Sequence, residues 1–265
     1  MASPTTPPST RRAQLATALA WRPDWPVALL AAAAWSLLVW LQLSGWGDGG
    51  GGRGTAAPGA HLGHAHHELG ATAGVSAAAV AGAVGGWVLM STAMMAPATL
   101  PAVRYVGLNS IRRRRARAMA LYVTAYLVVW TAFGAVALAL VALAAEAGAS
   151  ERTVAAAALA VAAGWQLTRA KRRALIACGR TVPLPPEGGR ADAACLRFGT
   201  RQAARCIVSC WPLMLVMAAV GHGNLLAMAA LTALVVGEER SAWARRLRAP
   251  LAVVLGAAAV AALSL

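Results

Sequence analysis

Seven stretches of the chain are nearly free of charge: residues 27–46, 75–98, 118–145, 153–168, 206–221, 224–237 and 249–265. None alternates apolar and polar positions with a period of two. Within lipid a backbone must satisfy its polar groups internally, so unbroken apolar runs of this kind fold as helices. A crossing of a hydrocarbon core about 30 Å thick takes about 20 residues. The fourth and sixth runs are short for a crossing. The pattern therefore predicts an all-α membrane protein, a polytopic bundle of about seven transmembrane helices, with a range of six to eight.

The polar positions divide the rest. Residues 1–26 are rich in Pro, Thr and Ser and are predicted to be a disordered cytoplasmic tail. The run at 27–46 exceeds the apolar region of a signal peptide and lacks a small-residue cleavage site after it, so it reads as a retained first transmembrane helix. Residues 47–74 form a Gly- and His-rich loop that opens with GDGGGGRGTAAPGA. Residues 75–265 make up the helical membrane domain.

Charge sets the orientation. With alternate connections on opposite sides, twenty-two of the 24 Lys and Arg residues fall on one side. These lie in the N-terminal tail (three), at 104–117 (six, including the run Arg112–Arg115), at 169–205 (nine, including Lys171) and at 240–248 (four). Only Arg53 and Arg152 fall on the other side. Basic residues mark the cytoplasmic face, which predicts a multi-pass inner-membrane (plasma-membrane) protein with a cytoplasmic N-terminus and an outer loop at 47–74. Composition agrees: 12% of the 265 residues are charged, 59% are hydrophobic and mean hydropathy is +0.59. Soluble domains carry about 25% charged residues, so a soluble enzyme is excluded. The net charge of +15 reflects topology, and no nucleic-acid partner is expected.

Side chains that bind metals segregate along the chain. His61, His64, His66, His67 and Glu68 lie in the outer loop, a density that suits metal capture. All four cysteines fall on or near the cytoplasmic side, where thiols stay reduced. Cys206 and Cys210 open the fifth apolar run, CIVSCWPLMLVM, and Met214 and Met217 continue their stripe within about 80° of helical arc. Thiolate and thioether are soft donors that favour Cu(I). Met90, Met94 and Met95 precede Pro97, which is expected to break or kink its helix and free nearby carbonyls. Gln166, Thr168, Glu238 and Glu239 lie at the same depth, where polar groups are costly. The expected ligands are Met94, Met95, Cys206, Cys210, Met214 and Met217, with Gln166, Thr168, Lys171, Cys178 and Glu238 surrounding them. No P-loop, nucleophile elbow, HExxH or CxxC is present.

At these residues the chain resembles a bacterial family of predicted metal-binding integral membrane proteins of unknown function, as a divergent member. The similarity covers about 85–240. It rests on Ala93-Met94-Met95-Ala96-Pro97, then on Trp165-Gln166-Leu167-Thr168 with Lys171, and on Cys178-Gly179-Arg180. Further along it rests on Cys206, Cys210, Trp211, Leu213 and Met214, and finally on Gly221, Asn224 and Glu238. The resemblance implies metal binding and no particular reaction. Ala174 and Ser209 stand where the family pattern has cysteines, and Glu239 stands where it has lysine. Two lost thiols imply a weaker site, a different ligand set or a member that no longer binds metal.

The sequence thus predicts an inner-membrane protein that binds a soft transition metal, copper by the donor set, for handling or delivery. Its partners would be the bilayer, the ion and a metal-accepting protein. The alternatives are a non-catalytic scaffold or assembly partner whose Met and Cys only pack, and a subunit of a membrane metalloenzyme. The latter would need His inside the bundle, so the enzyme reading is the weaker.

Overall fold

A computed structural model describes residues 22–44, 77–220, 224–241 and 243–264. The described residues form eight α-helices: α1 (Trp25–Leu43), α2 (Ala77–Leu108), α3 (Arg115–Glu146), α4 (Glu151–Gln166), α5 (Arg169–Cys178), α6 (Gly188–Val220), α7 (Leu225–Arg240) and α8 (Arg248–Ser264). Short 3-10 turns precede α3 and α8. The all-helical expectation holds, and five helices are long and apolar enough to cross a membrane: α1, α2, α3, α6 and α8 with its leading turn. α4 and α7 have 16 residues each, about 24 Å of helix.

Local chemistry sets the helix ends. Ser150, Thr168 and Asn224 cap α4, α5 and α7, each side chain accepting from the backbone N–H three residues on. α3 ends in a Schellman turn: the Ala149 N–H donates to the Ala144 carbonyl and that of Gly148 to Ala145, both at 3.0 Å. Gly148 sits at φ +82°, a conformation that glycine alone adopts without strain.

Three boundaries differ from the sequence pattern. α2 does not end at Pro97 but runs through both Pro97 and Pro101 to Leu108. The fifth apolar run is only the second half of α6, whose 33 residues make about 50 Å, more than a bilayer core needs. The basic stretch 169–205, expected as a connection, supplies α5 and the first half of α6.

The three prolines within α2 and α6 explain how those helices persist. Each lacks an N–H, which orphans the carbonyl four residues earlier. Pro97 frees the Ala93 carbonyl, and the Trp35 indole donates to it at 2.9 Å. Pro101 frees that of Pro97, which takes a bond from Arg240. Pro212 frees that of Val208, which takes one from Trp165 at 2.9 Å. Each substitute comes from another helix, so the prolines become ties: α1 to α2, α7 to α2, and α4 to α6.

α3 and α6 pack closely, as do α4 and α8, and α2 lies between α1 and α3. A Cβ at Gly199 would stand 2.4 Å from the Tyr122 carbonyl oxygen, so glycine permits the α3–α6 approach. The main core gathers Trp87, Trp130, Tyr126, the methionines of α2 and α6, and Met228. A second cluster, with Tyr122, Cys195 and Phe198, fills the basic pole, where Asp192 of α6 pairs with Arg114, just before α3, and with Arg117 in its first turn.

Candidate metal centre

Helical spacing places Cys206, Cys210, Met214 and Met217 on the face of α6 that meets α2 and α3. Met94 and Met95 come from the proline-bearing part of α2. All six are 1% exposed or less. Cys206 sits at the centre: its Sγ lies 3.9 Å from Cys210 Sγ and 4.0 Å from Met95 Sδ, and it accepts a hydrogen bond from Tyr126 Oη at 3.2 Å. Three sulfurs from two helices therefore meet, with a phenol beside them. Met94, Met214 and Met217 belong to the same core.

The spacing can be compared with what a metal requires. At metal–thiolate distances of about 2.3 Å, two sulfurs on one ion stand about 3.8 Å apart in a tetrahedron and about 4.0 Å in a trigonal plane. Both separations from Cys206 Sγ fall at these values. Among the described residues no three His, Cys, Asp or Glu side chains cluster as a hard or borderline ion would need. Two thiols with a thioether beside them are a soft donor set, of the kind that favours Cu(I).

Polar groups surround the sulfurs on the side of the basic pole. Lys171 Nζ lies 2.7 Å from Glu238 Oε2, an ion pair whose side chains are both almost fully buried. Thr168 orients this pair indirectly, since it caps the helix that carries Lys171. Glu239, next along α7, lies near the thiols of Cys206 and Cys178, and its Oε1 is buried without a hydrogen-bond partner. Burial pushes the Cys178 thiol well up from its ordinary value, so Cys178 stays protonated. Gln202 Nε2 donates to the Cys178 carbonyl at 3.0 Å, fixing the end of α5 against α6. Gln166 is as buried as the sulfurs, yet neither its Nε2 nor its Oε1 has a partner, so it bonds to none of them.

Sequence reasoning did not single out Tyr126. Its only signal is a phenol one turn from Tyr122 inside an apolar helix, where a polar tip must find a partner. Tyr122 Oη bonds to Thr99 Oγ1 at 2.5 Å, and Tyr126 bonds to Cys206. His61, His64, His66, His67, Glu68 and His222 lie outside the described residues.

A family model described as PpoB2, copper chaperone, matches residues 84–262. The chain belongs to this family. No curated protein and no solved structure matches it. PpoB2 membership ties the chain to copper handling, in agreement with the soft donor set. The matched stretch contains every sulfur of the cluster, and it leaves out α1 and the histidine-rich segment.

Proposed function

We propose that this chain is a multi-pass inner-membrane copper handler that holds Cu(I) between α2 and α6 and passes it to a metal-accepting protein. Met95, Cys206 and Cys210 are the ligands, and Met94, Met214 and Met217 offer alternative thioethers along the same path. The supporting observation is the meeting of three buried sulfurs at 3.9 and 4.0 Å around Cys206, within a stretch that the copper chaperone model matches.

On this reading the chain's own groups have distinct tasks. Ligation by two thiols would release two protons, one from Cys206 and one from Cys210; the nearby Glu239 carboxylate can take one and pass it on to solvent, and the other leaves to solvent as the ion enters. Tyr126 donates to the resulting thiolate, which spreads its charge in a low-dielectric setting. The buried Lys171–Glu238 pair holds α5 to α7 and so fixes Glu239 and Cys178. The His61–His67 loop collects the ion on the outer side, the N-terminus lies in the cytoplasm, and the helices carry no catalytic residue.

Thioethers bind Cu(I) in graded fashion, which provides the test. In anaerobic competition with a Cu(I) chelator, Met95→Leu should weaken binding about tenfold or more, and Met217→Leu clearly less. Equal affinity in both variants and the wild type would contradict the assignment. It would favour the scaffold reading, in which Met and Cys only pack. That reading draws support from the absence, among the described residues, of a His/Cys/Asp/Glu cluster.

A further inference from the structure

Beside the buried end of α4 lies a cavity of about 200 Å³ lined by Gln166 and by Arg169, Arg172, Arg245, Arg246 and Arg248. Three segments build it: the α4–α5 junction, the 3-10 turn before α8 and the start of α8. No carboxylate lines it, and none of the five arginines is ion-paired among the described residues. Five guanidiniums around one space open to solvent give it a positive potential that attracts an anion.

Three further features show a built site. Arg245 Nε donates to the Ser241 carbonyl at 3.3 Å and Arg248 Nε to the Arg245 carbonyl at 2.7 Å. These backbone bonds anchor both side chains through Nε and leave their Nη groups unpaired. Gln166 lines the same cavity, 1% exposed, with both amide atoms unsatisfied. A buried amide without partners is costly, and here it supplies a neutral donor among the cations. The N-terminal ends of α5 and α8 add the positive ends of two helix dipoles.

We propose that this cavity binds a phosphate group. Guanidinium forks match phosphate oxygens two at a time, which a set of lysines would not do. The setting fits the headgroup of an anionic lipid. The cavity sits where the apolar helices α4 and α8 meet the basic pole, and Leu167 and Trp243 stand largely exposed nearby, 65% and 66%. Leucine and tryptophan at such a level face acyl chains and the bilayer interface. Free phosphate shares the chemistry and is the other source. The assignment is independent of the copper reading.

The test uses the full-length protein in detergent, titrated separately with phosphatidylglycerol, uncharged diacylglycerol and inorganic phosphate, and read by native mass spectrometry and thermal shift. Wild type should bind phosphatidylglycerol and not diacylglycerol. Gln166→Leu and Arg172→Gln/Arg246→Gln should each bind about tenfold more weakly. Arg173→Gln, which removes an exposed arginine outside the cavity, should bind as wild type does. Thermal shift without ligand checks that the variants fold. Binding of inorganic phosphate without lipid, lost in the same variants, supports the site with free phosphate as its ligand. No binding of either ligand, or binding that falls as much in Arg173→Gln as in the cavity variants, would overturn it.

Discussion

Burial of a charge pair between α5 and α7 sets the energetics at the residue scale. Lys171 and Glu238 are nearly inaccessible, so each charge depends on the other for compensation. Glu238→Gln should lower stability by about 3–5 kcal/mol, because it leaves the ammonium unpaired. Lys171→Met/Glu238→Leu should fall within about 1 kcal/mol of wild type or exceed it. Thermal unfolding in detergent measures both, and equal losses in the single and double variants would show that the pair does something other than neutralise itself. The shared buried face of Cys206, Cys210, Met214 and Met217 on α6 was legible at this scale, because the four recur at helical spacing. The partners Met95 and Tyr126 were not legible as contacts. The sequence separations are 111 residues for Met95 and 80 for Tyr126, and no local pattern encodes which turn of α2 or α3 faces a given turn of α6.

Among elements, the prolines and close-approach glycines fix how helices meet. Trp165→Phe should cost about 1–3 kcal/mol, since it strands the Val208 carbonyl. In a Pro212→Ala background the same change should cost less, because the restored N–H of residue 212 bonds that carbonyl within α6. A double-mutant cycle of unfolding free energies checks this coupling, and strict additivity would refute it. Gly199→Ala should destabilise by about 1–3 kcal/mol, because its Cβ meets the backbone of α3 rather than a movable side chain. Sequence reasoning found seven apolar elements and missed α5 and the first half of α6. The cause is physical: arginines cover the outer faces of both. The buried positions Ala191, Cys195, Phe198, Gln202 and Cys206 nevertheless keep a helical period, and Lys171, Ala174 and Leu175 mark the inner face of α5. Periodicity carries that signal where mean hydropathy does not. At Pro97 the helix continues instead of breaking, because Trp35 takes over the carbonyl that the proline frees.

For the whole molecule, the basic pole and the sulfur core together define a direction. Reporter fusions at Gly50 and Arg115 should report opposite compartments, with Arg115 cytoplasmic. The same compartment at both positions would invalidate the path from outer histidines to inner sulfurs. Family membership and the donor set agree on copper, while the route and the acceptor rest on the proposed orientation. The most direct test of the copper site is the metal content of detergent-purified protein by mass spectrometry, after anaerobic loading with Cu(I) and washing. Wild type would be compared with Cys206→Ser/Cys210→Ser/Met95→Leu, with residues 61–67 deleted from both so that the histidines do not contribute. Near-stoichiometric copper in the first and its loss in the second is the predicted result. Equal, substoichiometric copper in both would contradict a soft-metal site between α2 and α6.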